Sequence, residues 1–381
     1  MFVIVFWAAL LLVAYTYFIY PLLLWLLTAG RRRPDYAPLD EWPCTSLIIA
    51  AYNEEAILRA KLENALGLDY PVDKLEIVVV SDESTDGTDA IAEEFVPRGV
   101  RVHRVPERGG KTAAQNVGVG LARGEVLVFT DANSMYAPEA LKRLLAPLAD
   151  DKIGCVCGEL QYADSEEGGV GKGEGAYWSY EQFLKQRESM LSSTLGANGA
   201  IYALRRELFE ELGNDIISDF IMPIRVWRRG YFVVYEPKAI ATELSGGSFR
   251  DEFRRRRRII SRSLYGLWTQ RGVLNPFAHF FFAFQMFSHK VLRWLVPVLL
   301  LVALGANIAL AGDPFYRILL ALEVAFMASA VLGYALPERL GQLMPFYVPA
   351  YFCAINYGAL LGVLNFITGR RHIVWQPVSR G

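Results

Sequence analysis

The pattern of apolar and polar positions divides the chain into two apolar ends and a polar middle. Residues 2–30 carry no charge, and Arg31-Arg32-Arg33 follows at once. About 20 apolar residues cross a bilayer, so residues 1–30 predict an N-terminal transmembrane helix. A cleaved leader would carry its basic residues ahead of the apolar run rather than behind it. A basic cluster marks the cytoplasmic side. The expected arrangement has the N-terminus outside, a charged Pro-containing linker at 31–44, and a cytoplasmic middle.

In that middle, short apolar runs alternate with helical spacing. Runs at 46–51, 75–81 and 100–105, and a fourth starting at Val126, read as strands. Between them, 56–68 carries Ile57, Leu58, Leu62, Ala65 and Leu66 on one side, a helix is expected after Thr88, and 112–122 reads as another. Such alternation predicts an α/β domain with a parallel sheet and right-handed crossovers, placed at 45–270. Each run ends in polar residues: Tyr52-Asn53-Glu54-Glu55, then Asp82 to Thr88, then Gly109-Gly110-Lys111, then Asp131-Ala132-Asn133. Ligands of α/β sheets bind at the carboxyl ends of strands, so four polar ends on one rim predict a site. Four independent surface loops are the competing explanation.

Further on, 137–148 reads as a helix, 154–158 as a short strand and 168–175 as a Gly-rich segment. Residues 174–191 have helical spacing with Tyr177, Trp178, Tyr180 and Glu181, whose aromatic faces either line a site or fill a core. Gly196 and Gly199 lie in a small-residue turn before a strand at 201–204, where glycine permits close approach of a ligand. Asp219 precedes a helix at 220–229 and suits its N-cap. Residues 271–292, rich in Phe and broken by His279, Gln285 and His289, read as an interfacial amphipathic helix. A C-terminal transmembrane region of two or three segments is placed at 293–369, with Glu323 inside it, and a basic tail at 370–381. Three crossings would put Arg370-Arg371-His372 outside, against the positive-inside tendency. A bent, re-entrant or interfacial last segment would return the tail to the cytoplasm.

Composition removes several alternatives. Of the 381 residues 53% are hydrophobic, with the excess at the two ends, and the net charge of −1 gives no field for nucleic acid. Cys155-Val156-Cys157 has no second Cys/His pair beside it and reads as buried thiols rather than a zinc site. Four scattered His, at 103, 279, 289 and 372, argue against a His-centred metal site. The five-Arg run from Arg254 to Arg258 invites nucleic acid or anionic lipid, but on a helix its members fan out, so only part meets any one surface. Asp131 and Asn133, two oxygen-bearing side chains one residue apart, suit a hard divalent cation and the diphosphate it carries, although Asp and Asn also favour plain turns. Lys111, in a Gly-rich turn entering a helix, sits where a cation and backbone N–H groups meet phosphate.

Taken together, Ala51-Tyr52-Asn53-Glu54, the loop Asp82…Asp86-Gly87-Thr88, Gly110-Lys111 with Asn116, and Asp131-Ala132-Asn133 resemble successive motifs of the family 2 glycosyltransferases. The resemblance runs from about Thr45 to Trp268 and extends to the membrane-bound branch related to chitin, hyaluronan and cellulose synthases. It implies a GT-A fold, a Rossmann-like mixed sheet, flanked by transmembrane helices in a multi-pass protein of the cell (inner) membrane. It further implies inverting transfer from a UDP-sugar with Mg²⁺ or Mn²⁺. Tyr52 and Glu54 would line the nucleotide pocket, Asp82 would accept from uracil, Lys111 would meet phosphate, and Asp131 with Asn133 would hold the ribose–diphosphate–metal unit. The family usually carries a second Asp where Asn133 stands. Trp178 lies on the acceptor-side helix, Gly196 and Gly199 under the transferred sugar, and Asp219 matches the catalytic base, with Ser218 in place of the acid that commonly precedes it and Asp215 as the nearest rival. Processive members carry Gln-x-x-Arg-Trp where this chain reads Arg255-Arg256-Arg257-Arg258-Ile259. Arg258 keeps the phosphate-binding position, Arg255 counts with it as substrate-binding, Ile259 drops the stacking Trp, and the remaining arginines are expected against the inner leaflet. The implied acceptor is a lipid-linked or short glycan, with other membrane proteins of polysaccharide biosynthesis as further partners. A processive synthase and a non-catalytic scaffold are the other two readings.

Overall fold

Strands β1 (Thr45–Ala51), β2 (Leu75–Ser81), β3 (Val100–Arg104) and β4 (Val126–Asp131) form at the four apolar runs in a computed structural model, which describes residues 1–163, 170–244, 249–336, 338–341 and 343–370. β1 is buried along its whole length because helices cover both faces of the sheet, and so it reads as a continuous apolar run. These four strands are parallel, in the order β3-β2-β1-β4. Register sets Ala51 beside Ser81 and Ala50 beside Asp131, so the polar residues that follow emerge on one rim.

The sheet continues through β5 (Met135–Tyr136), β6 (Ile153–Ala163), β7 (Tyr202–Arg205) and β8 (Phe232–Leu244), in the spatial order β4-β7-β6-β8-β5. β7 is antiparallel to both neighbours and β8 is parallel to β6, giving a mixed sheet. Two features differ from the sequence expectation. The strand expected at 154–158 runs on to Ala163, and β8 was not expected at all. Pro237 explains the second, since proline cannot donate to a ladder. The pairing skips from Gly158–Glu236 to Glu159–Ile240, so Pro237, Lys238 and Ala239 bulge out of register.

Alternation along the strands feeds two cores. Leu47, Ile49, Val126 and Val128 pack with the helices Leu58–Leu66 and Ala140–Leu145. Ile48, Leu127 and Phe129 pack with the helix Ser218–Arg228 and the basic helix Phe249–Thr269, in a core that also takes in Phe282, Met286, Trp294, Ala359 and Val363 from the apolar C-terminal helices. The sheet domain and the apolar helices therefore share one core.

Among the described residues four helices are long and apolar enough to cross a membrane: Phe2–Leu27, Pro276–Leu310, Pro314–Ala335 and Met344–Ile367. The segment read as an interfacial helix continues through a π-turn, Met286–Val291, into the second of these. Gln285 and His289 are buried there rather than on a water-facing stripe. His289 lies between two buried carboxylates, with Nδ1 2.8 Å from Glu188 and Nε2 3.2 Å from Glu181. Tyr20 donates to Glu188 at 2.7 Å, and Lys290 and Arg293 pair with Glu181 at 2.5 and 2.6 Å. This cluster ties the N-terminal helix and the helix Pro276–Leu310 to the helix Val170–Leu191 of the sheet domain. Farther along, Asn307 donates to Glu323 at 3.0 Å, giving the carboxyl noted in the sequence a partner on the neighbouring helix.

Met344–Ile367 packs first against the end of Pro314–Ala335, with Ser329 donating to the Pro345 carbonyl and Phe326 edge-on to Phe352. It then runs along the basic helix. A Cβ on Gly358 would lie 3.0 Å from the Phe253 carbonyl oxygen, and one on Gly362 would lie 2.9 Å from Ile260 Cβ. At its end, Tyr265 donates to the Asn365 carbonyl at 3.3 Å. The expected tail beyond residue 370 and residues 168–169 of the Gly-rich segment expected at 168–175 lie outside the described residues; the rest of that segment falls in the helix Val170–Leu191.

Candidate active site

A cavity of about 380 Å³ opens at the carboxyl ends of the parallel strands and extends to the apolar helices. Twelve of the residues singled out from the sequence lie in its wall: Tyr52, Glu54, Asp82, Lys111, Asp131, Asn133, Trp178, Gly196, Gly199, Asp219, Arg255 and Arg258. Asp215, the rival carboxylate, does not line it.

Backbone geometry at the strand ends sets the first wall. Asn53 adopts a left-handed conformation (φ 52°) and its side chain accepts from Thr85 N–H at 2.8 Å, joining the loops after β1 and β2. The Arg108 guanidinium lies 3.5 Å from the Tyr52 ring centroid. Asp82 accepts Gly109 N–H at 2.9 Å on one oxygen and Gly110 N–H at 2.8 Å on the other. Gly110 reaches this position with φ 86°, a conformation glycine takes without strain. Asp82 thus holds the loop that delivers Lys111, and a carboxylate oxygen has further lone pairs for a ligand.

Lys111 is half-buried and ion-paired with Asp131, which sets aside a solvated surface role. Burial alone would lower its pKa, but the carboxylates of Asp131, Asp219 and Glu243 outweigh it and hold Lys111 charged. Asp219 sits in the first turn of the helix Ser218–Arg228, whose N-cap is Ile217, so Asp219 is not the cap. Its pKa is raised, chiefly by burial and further by Asp131, while Lys111 opposes the shift. Ser218 donates to Gln115 at 2.5 Å. A Cβ on Gly199 would lie 2.7 Å from Asp219 Oδ2 and 2.8 Å from Lys111 Nζ. The glycine therefore leaves open the space that the carboxylate and the ammonium share. Gly196 has no such close approach, its nearest atom being 3.4 Å away on Phe220.

Within the basic run, Arg255, Arg256 and Arg258 line the cavity, Arg257 reaches Asn365 at 3.4 Å, and Arg254 is exposed. The expectation that the remaining arginines of the run face lipid is corrected for Arg256 and Arg257, because helix periodicity turns most of the run inward. Burial, with Arg262 and Arg255 nearby, lowers Arg258 to about 10. A buried guanidinium among like charges is a site for an anion. Trp178 does two things at once: it lines the cavity and donates to the Leu160 carbonyl at 2.7 Å, edge-on to Tyr162.

Four functional positions were not anticipated. Glu243, on the unexpected β8, lines the cavity and accepts from Ser134 at 2.5 Å; burial first, and Asp131 second, raise its pKa. Lys185 binds Asn198, whose side chain donates to the Gly158 carbonyl at 2.6 Å, so the 196–199 turn is held from two sides. Arg262 donates to the carbonyls of Asn214 and Ile216 at 2.7 Å and shapes the approach to Asp219.

Among the described residues no group of three or more His, Cys, Asp or Glu is arranged to hold a metal by itself. Asp131, Asn133 and Glu243 nevertheless give the cavity two carboxylates and an amide oxygen. That donor set fits Mg²⁺ or Mn²⁺, which take a few protein oxygens and complete their shell with phosphate and water.

Residues 46–213 match the family model described as "Glycosyl transferase family 2". A relative from Bacillus subtilis (strain 168), "Probable glycosyltransferase YdaM", is 28% identical over 291 residues, covering 70% of this chain and 68% of its own length. The "Beta-monoglucosyldiacylglycerol synthase" of Nostoc sp. (strain PCC 7120 / SAG 25.82 / UTEX 2576) is 28% identical over 175 residues, covering 45% of this chain and 37% of its own. The solved structure of a mannosyltransferase from Pyrobaculum calidifontis, in complex with GDP-Man and Mn²⁺, superposes with a TM-score of 0.72 at 23% identity, covering 96% of this chain and 99% of that one. With the rim of polar strand ends already in place, these matches show a family 2 glycosyltransferase domain at residues 46–213, with glycosyltransferase relatives, on a GT-A-like fold.

Proposed function

We propose that the protein transfers a sugar, with inversion, from a UDP-sugar to the hydroxyl of a membrane lipid or lipid-linked glycan. One observation carries this reading: Lys111 Nζ and Asp219 Oδ2 both lie within 2.8 Å of a single point above Gly199, in a cavity that also reaches Tyr17, Trp294, Ile355 and Ala359 of the apolar helices. A phosphate-binding cation, a general base and a lipid-facing wall then serve one reaction.

In this scheme Tyr52, Glu54 and Asp82 bind the nucleoside, and Lys111 and Arg258 take the negative charge that builds on the departing diphosphate. The acceptor oxygen bonds to the anomeric carbon as the carbon–diphosphate bond breaks, and the acceptor proton passes to the Asp219 carboxylate. Asp131, Asn133 and Glu243 would hold a divalent cation, which supplies Lewis-acid neutralisation of the diphosphate when bound. A lipid acceptor is favoured over a soluble glycan because apolar helices form part of the wall, and relatives bear the name of a glycolipid synthase. Processive polymerisation is disfavoured by Ile259, an aliphatic side chain in the cavity wall where a stacking Trp would stand.

The sheet domain is placed in the cytoplasm, on the Arg31-Arg32-Arg33 cluster. Three helices then cross the membrane, and Met344–Ile367 lies at the cytoplasmic interface, since one end packs on the close of Pro314–Ala335 and the other on the basic helix. That arrangement returns the basic tail to the cytoplasm.

Thermal unfolding with a panel of nucleotide sugars, with and without Mn²⁺, tests the donor assignment, because a ligand that binds the folded state raises Tm. UDP-sugars should stabilise the protein and need the metal to do so fully. Stabilisation by GDP-mannose alone would reassign the nucleotide.

A further inference from the structure

The helix Leu58–Leu66 presents Leu58, Leu62 and Ala65 to the core, and Lys61 stands in phase with them. Its side chain is fully buried. The ammonium donates to the Ser134 carbonyl at 2.5 Å and the Thr130 hydroxyl at 2.9 Å, and lies 4.4 Å from the centroid of the Tyr136 ring. No carboxylate among the described residues pairs with it directly; Asp131 and Glu243 act on it only through space. A second side chain of the same helix, Asn64, exchanges two hydrogen bonds of 2.8 Å with the backbone of Tyr136. The stretch from Thr130 to Tyr136, which contains Asp131 and Asn133, is therefore gripped from beneath at two points. Ser134 extends the grip to Glu243, to which it donates at 2.5 Å.

Burying a lysine without an ion pair is costly, and a Met or Leu would fill the same space at less cost. Stability alone does not account for a cation here. What the cation does have is a grip on the loop whose side chains face the cavity. Burial brings Lys61 to about 7, which measures how unfavourable its surroundings are for charge.

We propose that Lys61 is a positioning residue for the metal–diphosphate loop: its ammonium fixes the Thr130 hydroxyl and Ser134 carbonyl, and so holds Asp131, Asn133 and Glu243 in the arrangement that receives a divalent cation together with a nucleoside diphosphate. This rests on the donor site described above. Lys61 touches neither substrate nor cation and acts through the loop.

The test is direct Mn²⁺ binding to the full chain in detergent, followed by electron paramagnetic resonance of the free ion, with and without UDP. Residues behind metal ligands are worth about 10- to 100-fold in metal affinity, and Lys61→Met should weaken Mn²⁺ binding in the presence of UDP by about that factor. Metal-free UDP binding should stay at the wild-type value, which general unfolding would not spare. Mn²⁺ bound by Lys61→Met as tightly as by wild type, or more tightly, overturns the inference. Thr130→Val removes one of the two contacts and leaves the lysine in place, and serves if Lys61→Met does not fold: a smaller loss of Mn²⁺ affinity is expected, and no loss overturns the proposal. Wild type that binds no Mn²⁺ with UDP refutes the site reading itself, and the inference with it.

Discussion

Lys111, the first residue of its helix, is ion-paired with Asp131 at the end of β4, although 20 residues separate them in sequence. The cation that would bind the donor's diphosphate thus occupies the carboxylate that would hold the metal. Mn²⁺ alone must compete with an ammonium, whereas a diphosphate draws Lys111 off and adds its own oxygens. Mn²⁺ affinity should therefore rise when UDP is added, by titration calorimetry. Equal affinity with and without UDP would contradict the coupling.

Lys111 also lowers the pKa of Asp219, against burial and Asp131, which raise it. A general base works in its ionised form, so the rate should fall as pH drops through a value above the ordinary carboxylate 3.8. Lys111→Met removes the opposing cation, leaves the raising influences, and should move this acid limb to higher pH. It should also cost on the order of 10² in kcat through the lost diphosphate contact. The pH–rate profile checks both, and an unmoved limb would separate Lys111 from Asp219.

Gly199→Ala places a methyl group 2.7 Å from Asp219 Oδ2 and 2.8 Å from Lys111 Nζ. Both are ends of flexible side chains, so the fold should survive while the two groups are pushed aside. Misplacement of about 1 Å can cost on the order of 10²-fold in rate. A rate loss with unchanged Tm is expected; Gly196→Ala, lacking such contacts, should have much the smaller effect.

The interfacial placing of Met344–Ile367 is tested by labelling a cysteine introduced at Arg370 in intact cells and in inverted vesicles. Reaction with a membrane-impermeant thiol reagent should occur only in the inverted vesicles. Labelling in intact cells would require a fourth crossing.

The parallel half of the sheet was legible because β1, β2 and β4 hold apolar runs at 47–51, 77–80 and 126–129 that end abruptly in polar residues. The site residues were legible for the same reason: strand ends of one parallel sheet share a rim. β8 was hidden by Glu236-Pro237-Lys238, which reads as a turn and is a bulge, and Glu243 was hidden with it. Lys61 left a faint signal, a lysine in the apolar phase of its helix, but only the folded chain places Ser134 above it. The pairing of Glu181, Glu188, His289 and Tyr20 left none, since those contacts span more than a hundred residues of chain.

The most direct test of the central claim is transfer from radiolabelled UDP-sugars by the full chain in lipid vesicles, followed by organic extraction, with Asp219→Asn alongside wild type. Label is expected in the lipid phase for wild type, with a loss on the order of 10²–10⁴ for Asp219→Asn and UDP binding intact in both. Label in high-mass polymer, or undiminished transfer by Asp219→Asn, would contradict it.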